Sequence, residues 1–228
     1  MSIPVILGWS GGKDSALALH ALLDDSRYEV VSLLTTLTEE FDRIAMHGVR
    51  RALLLQQADA IGLPLDEVWI KHGAGNSEYE AAMLKSIGRF RENGITKMAF
   101  GDLFLEDIRD YREKMLQQLD MDCVFPIWGR DTTKLAEEFV AQGFRAKTCC
   151  IDTRKLEDSF CGRDLTRDFF HDLPAGVDPC GENGEFHTFV YDAPEFREPI
   201  EITTGERRRD EPFLFCDLAL LPEITSST

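Results

Sequence analysis

Through the first 150 residues, apolar runs alternate with segments whose apolar positions recur at helical spacing. The runs at 3–9, 28–37, 65–71, 96–102, 122–127 and 144–151 predict strands. They are rich in Val, Ile, Phe and Trp, and several lack polar alternation, as strands covered on both faces do. Helices are predicted over 14–25, 47–61, 77–93, 107–119 and 131–142. The third opens on Ser77 with Glu80 three residues on, the spacing of a capping box. It places Tyr79, Met83, Ile87 and Phe90 on one face, which reads as core. Gly62, Gly94 and Gly143 follow helices where a terminating glycine belongs. Strand–helix alternation of this kind predicts an α/β fold, a doubly wound parallel sheet with helices on both faces. The pattern changes after about residue 128. Two shorter helices give way to hairpin-like stretches at 185–191 and 199–204 and an apolar run at 212–221. The expected division is therefore 1–128 and a smaller α+β portion over 129–224. Only 225–228 reads as a disordered tail.

One turn stands out between a strand and a helix: Gly8-Trp9-Ser10-Gly11-Gly12-Lys13-Asp14-Ser15. Backbone N–H groups at a helix start lack intrahelical partners, and the helix dipole favours negative charge there. Gly11 and Gly12 let the backbone approach a ligand closely. Ser10 and Ser15 add hydroxyl donors and Lys13 adds a charge. The turn reads as a phosphate or pyrophosphate cradle, or else as an ordinary glycine turn. It is not the common P-loop, because Asp14 follows Lys13 and the glycine spacing fails. Ligands of parallel sheets bind at the carboxyl ends of strands, which puts 8–15, 34–38 and Gly101-Asp102 on one rim.

A second cluster lies at Asp178-Pro179-Cys180-Gly181-Glu182-Asn183-Gly184-Glu185-Phe186-His187-Thr188. Gly181 and Gly184 suit a turn. If Glu185 begins a strand, Glu185 and His187 share a face. A carboxylate beside an imidazole can position a nucleophile, take a proton or hold Mg²⁺ through water. A polar hairpin turn with a capping histidine fits the spacing equally well.

Composition narrows the classes. No apolar run approaches the ~18–20 residues a membrane span needs, and no leader is visible at the start, so a cytoplasmic protein without a membrane partner is expected. The net charge of −16 argues against a nucleic-acid surface. The basic run Arg207-Arg208-Arg209, flanked by Glu206 and Asp210, reads as a solvated loop. None of the six cysteines has C-x-x-C spacing, so reduced, mostly buried thiols are expected. A lone catalytic Cys180 is the alternative.

The string Ser10-Gly11-Gly12-Lys13-Asp14-Ser15 resembles the SGGxDS motif of the ATP pyrophosphatases, the PP-loop family. That family cleaves ATP between the α- and β-phosphates, usually adenylating an acceptor. The stretch 181–188 is similar to the late signature of its diphthine–ammonia ligase branch. Other pieces agree in order: Met46-His47-Gly48-Val49, Gln57-Ala58 through Gly62-Leu63-Pro64-Leu65, Gly101-Asp102, Pro126-Ile127-Trp128 with Ile for the usual Leu, and Gly162-Arg163. The resemblance runs from about Val5 to about Phe196.

It implies a Rossmann-like, adenine nucleotide alpha hydrolase-like fold and an ATP-dependent amide ligase. In such a ligase a carboxylate is adenylated, pyrophosphate leaves, and ammonia displaces AMP. Implied roles follow. Ser10, Gly11, Gly12, Lys13 and Ser15 hold phosphates, and Asp14 caps the helix or holds Mg²⁺. Thr35 borders the adenine, and Gly101 with Asp102 flanks the nucleotide. Asp102 meets Mg²⁺ or ribose, or simply closes a strand. Lys13, Asp14, Glu182, Glu185 and His187 form the catalytic group. His47, Arg163 and Gly181 face the acceptor, or for His47 a phosphate, although a lone histidine at a helix start is more often a cap and Arg163 reads equally as a surface ion pair. The acceptor is diphthine, which would make a translation elongation factor the partner, or a small-molecule carboxylate. A tRNA-modifying enzyme of the same fold and an ATP-binding regulator without turnover are the competing readings.

Overall fold

The computed structural model describes residues 2–44 and 48–221. Its first sheet is built around β1 (Ile3–Gly8). Alternation sends Val5 and Leu7 to one face and Ile6 to the other, and each face has its own core. β2 (Tyr28–Thr38) runs parallel to β1, with Gly8 opposite Leu34. β3 (Arg43–Ile44) folds back antiparallel on the end of β2, and β4 (Leu65–Ile70) pairs with β2 in parallel. β5 (Lys97–Ala99) and β6 (Asp122–Val124) extend the sheet on the other side of β1. The parallel strands thus run β4-β2-β1-β5-β6. The winding reverses between β1 and β5, which is where such sheets take ligands.

Helices α1 (Lys13–Asp24) and α2 (Arg51–Ile61) cover the Val5 face. α3 (Asn76–Glu92) and α4 (Glu106–Gln117) cover the Ile6 face with Met83, Ile87, Met115 and Leu116. The expected doubly wound α/β architecture is present. Tyr79, Met83, Ile87 and Phe90 pack as the pattern predicts, and Gly62, Gly94 and Gly143 follow their helices at φ of 80°, 84° and 91°.

Several details differ. The capping box on α3 does not form, because the helix begins at Asn76 behind Gly75 and has no side-chain cap. α2 begins at Arg51 rather than 47. β5 and β6 are shorter than their apolar runs. Past Ala99 and Val124 the chain leaves the ladder, and Leu103 and Ile127 are buried by packing instead.

The second half holds α5 (Thr132–Ala141), a 3₁₀ turn (Asp158–Phe160), α6 (Arg167–His171) and a separate sheet. That sheet comprises β7 (Arg145–Asp152), β8 (Phe186–Asp192), β9 (Ile202–Asp210) and β10 (Phe213–Leu220). It is antiparallel throughout, in the order β8-β7-β10-β9. The run at 144–151 therefore belongs here and not to the parallel sheet. Its apolar character signals burial on both faces but not which strands pair with it. Arg207, Arg208 and Arg209 lie in β9, a solvated edge strand rather than a loop, with Arg208 over the Phe215 ring at 5.5 Å. Charge along an exposed edge discourages further strand pairing. All six cysteines are free thiols and only Cys123 is not buried. Residues 225–228 lie outside the described residues.

Phe139 of α5 is fully buried and stacks on Phe144 with centroids 5.0 Å apart. Phe139→Ala should cost about 3–5 kcal/mol of unfolding free energy, read as a lower urea midpoint. A midpoint equal to that of the wild type would show that this aromatic pair does not anchor α5.

Candidate active site

The turn after β1 sits at the switch point, and its shape is set from outside. Gly12 is the N-cap of α1 and makes no side-chain cap. Gly11 has φ +73°, and a Cβ there would meet Gln57 Oε1 and Leu54 Cδ2 at 2.7 Å, so only glycine fits. Gln57 of α2, wholly buried, donates from Nε2 to the carbonyls of Gly11 at 2.9 Å and Val190 at 2.6 Å. Its Oε1 accepts from Trp9 Nε1 at 2.9 Å. β8 closes the other side: Val190 N–H donates to the Gly11 carbonyl at 2.9 Å, and Lys13 N–H donates to Thr188 Oγ1 at 3.0 Å. Within the turn, Ser15 Oγ donates to the Gly12 carbonyl at 2.9 Å, and the Ser10 and Ser15 hydroxyls lie 3.2 Å apart.

Lys13 is 1% exposed and its ammonium is paired with the Asp14 carboxylate. Burial, the largest single influence, would lower its pKa, but the Asp14 charge and hydrogen bond, with Cys180 and Glu182 nearby, together outweigh it and hold Lys13 protonated, above the ordinary lysine range. Asp14 therefore does not cap α1; its carboxylate serves Lys13.

The rim beyond β5 supplies the second wall. Gly101 lies flat against the start of α1: a Cβ there would fall 2.7 Å from the Asp14 carbonyl oxygen. Asp102 is held by Arg112 of α4, Nε at 2.5 Å and Nη2 at 3.1 Å from its two oxygens. Leu103 N–H donates to Glu182 Oε1 at 2.8 Å. Burial, with Asp14 and Asp102 nearby, raises the Glu182 pKa from 4.5 to about 7. Asp178 shapes the turn that carries Glu182, its Oδ2 accepting from Glu182 N–H at 3.0 Å and Cys180 N–H at 3.2 Å.

His187 of β8 is lowered from 6.5 to about 4, first by burial and then by the Lys13 charge, so its imidazole is neutral near pH 7. Cys180 is pushed up to about 12 by burial, and its thiol, 3.4 Å from the Thr132 carbonyl, stays protonated. That removes the thiolate a catalytic Cys180 would need.

Lys13, Asp14, Glu182 and His187 thus converge with Ser10, Gly11, Gly12 and Ser15. Glu185 precedes β8 instead of starting it and is turned into its own loop. Its Oε1 accepts from Asn183 Nδ2 at 3.2 Å and Asp178 N–H at 3.3 Å. Gly181 begins the turn, its N–H on the Asp178 carbonyl at 2.8 Å. Thr35 is buried on β2, just past the end of the β1 ladder. Arg163 is engaged elsewhere, with Asp172 at 2.7 Å and over the Phe160 ring at 5.0 Å. His47 lies outside the described residues. Among those described, no three His, Cys, Asp or Glu side chains form a metal site. Asp14, the expected metal ligand, is committed to Lys13, and Asp102 to Arg112. Among the described residues, the side chains do not by themselves build a Mg²⁺ site.

Sequence reasoning gave no role to Gln57, Thr188, Asp178 or Arg112. Gln57, Asp178 and Thr188 fall inside motif strings, which is the signal that marked them. Arg112 has no local signal.

A parallel sheet bearing this turn at its switch point, walled by a second sheet, defines a PP-loop nucleotide-binding protein. Family models for the N-terminal and C-terminal domains of diphthamide synthase match residues 3–123 and 131–221. The chain belongs to the diphthamide synthase family and is an ATP-dependent, AMP-forming carbon–nitrogen ligase. The diphthine–ammonia ligase of Danio rerio is 24% identical over 86% of this chain and 85% of its own length. That of Mus musculus is 23% identical over 93% and 87%. That of Schizosaccharomyces pombe is 25% identical over 86% of this chain but only 36% of its own length. The solved U34-tRNA thiolase NcsA from Methanococcus maripaludis shares 17% identity over 60% of this chain and 56% of its own, at a TM-score of 0.35. Among the described residues no helix is long and apolar enough to cross a membrane.

The two shifted groups act on stability in opposite directions. Glu182 binds more protons folded than unfolded between about 4.5 and 7, so its contribution, full below about 4.5, is lost as pH rises through 7. His187 binds fewer protons when folded between about 4 and 6.5, so its contribution is lost as pH falls through that window. Glu182→Gln should therefore raise the melting temperature relative to wild type more at pH 8 than at pH 4.5. A difference that does not change with pH would place Glu182 in solvent.

Proposed function

We propose that this ligase adenylates an acceptor carboxylate and then transfers ammonia to it, with the nucleotide bound by residues 1–128 and the acceptor by 129–224. One observation carries the reading: Glu182 and His187, about 170 residues from the turn, share its crevice with Lys13 and Asp14. A passive nucleotide binder has no use for a carboxyl held near pKa 7 and a neutral imidazole there.

In this scheme the ATP phosphates lie over residues 10–15, with Thr35 beside the adenine. An acceptor carboxylate oxygen attacks the α-phosphorus, and the bond to the bridging oxygen of the β-phosphate breaks. The buried Lys13 charge and the turn's donors stabilise the departing pyrophosphate. Asp14 keeps Lys13 charged in a site that burial would otherwise neutralise. Ammonia nitrogen then attacks the acyl carbon, the bond to AMP breaks, and the nitrogen's proton passes to Glu182, whose pKa suits a base near neutral pH. The neutral His187 ring can accept a hydrogen bond from ammonia or the acceptor. In this scheme Mg²⁺ would arrive bound to the nucleotide. The family relatives favour a diphthine-like acceptor, which would make an elongation factor the partner protein.

The test uses ATP labelled separately at the α- and γ-phosphates, with Mg²⁺, ammonium and diphthine-bearing elongation factor. AMP and pyrophosphate should appear together, and Lys13→Ala should slow them by about 10²–10³-fold. Release of ADP and phosphate, or ATP binding without turnover under every acceptor tried, would sink this chemistry.

A further inference from the structure

The turn after β5 touches both halves of the site within three residues. Gly101 abuts the first turn of α1, Leu103 N–H holds Glu182, and between them Asp102 points away to Arg112. We propose that Arg112 is a positioning residue: by gripping both oxygens of Asp102 it fixes the 101–103 turn, and through it the seat of Glu182 beside Lys13.

The Arg112 side chain is only 25% exposed, and its partner Asp102 is 15% exposed. Its guanidinium lies over the Phe100 ring at 4.3 Å, so the fork is fixed in plane as well as in reach. Tyr79 of α3, Tyr111 of α4 and Cys123 of β6 are further titratable groups that face it. Two parallel N–H···O bonds constrain a carboxylate's orientation as a single ammonium contact cannot. Asp102 is thereby spent on holding the loop rather than on ribose or metal. The neighbouring Arg109 lies over Trp128 at 4.9 Å and Phe125 at 5.2 Å and pairs with Glu113 at 2.8 Å, so α4 meets this rim along its length. A chain of three contacts therefore runs from α4 to the crevice: Arg112 to Asp102, the peptide to Leu103, and Leu103 to Glu182.

The catalytic consequence rests on the ligase reading, but the mechanical one does not, and two measurements separate them. Hydrogen exchange on the full chain reads the clamp directly. Arg112→Met should speed exchange of the Leu103 amide by about tenfold or more, leave β1 and β8 protection unchanged, and preserve the fold. Arg112→Lys should fall short of full rescue, since it restores the charge without the fork. Unchanged exchange at Leu103 would overturn the proposal. In the AMP-forming assay, Arg112→Met should lower kcat about 10- to 100-fold, the scale of a small misplacement, with KM for ATP nearly unchanged. It should add little in a Glu182→Gln background. Additive losses in that double variant would overturn the route through Glu182. Absence of AMP from the wild type would instead defeat the ligase reading, and exchange would still decide the clamp.

Discussion

The buried amide of Gln57 is the contact on which the rest of the site depends. It bonds at once to the turn carbonyl of Gly11, to the β8 carbonyl of Val190 and to the Trp9 indole. Three elements far apart in sequence are tied by one side chain that has no water to fall back on. Leaving buried carbonyls unsatisfied costs about 1–3 kcal/mol each, so the arrangement is held more firmly than its number of bonds suggests. Val190 and Thr188 add their own bonds to the turn from β8. A phosphate meeting this surface finds the turn already in place, and that readiness is what makes fixed dipoles effective in catalysis.

The same seam joins the two sheets. Asp217 of β10 takes Arg43 at 2.9 Å and also Arg50, so an inner strand of the second sheet is pinned to the β3 hairpin and the entry to α2. One apolar core runs continuously from Val5 and Leu7 through Phe139 and Phe189 to Leu218. The second sheet is therefore a wall of the crevice beside the turn, and its strands cannot shift without disturbing that turn.

Much of this was legible in the chain. Local rules carry element type: helical spacing placed α1 to α5 within a few residues, and a glycine turn between strand and helix marked the cradle. Pairing is a different matter. The run at 144–151 reads like any buried strand, and nothing in its periodicity says that its neighbours are 186–192 and 213–220. The Ser77 and Glu80 spacing matched a cap that α3, starting one residue earlier, does not use. Glu185 was read into a strand that begins only at Phe186. Gln57, Thr188 and Arg112 act across separations that no local pattern encodes. Asp102 was visible as a polar residue at a strand end, but its partner lies on a helix face where an arginine looks like ordinary solvated surface.

The crevice is also a matter of timing. Its floor comes from residues 10–15 and its wall from 182–190, so the emerging chain cannot complete it until most of its length has been made. Contacts of such long sequence separation form late, after the local helices. A nucleotide that prefers the finished crevice would stabilise only chains that have closed this seam. Such a nucleotide would tie ligand binding to the completion of folding, and would test the fold before serving as a substrate.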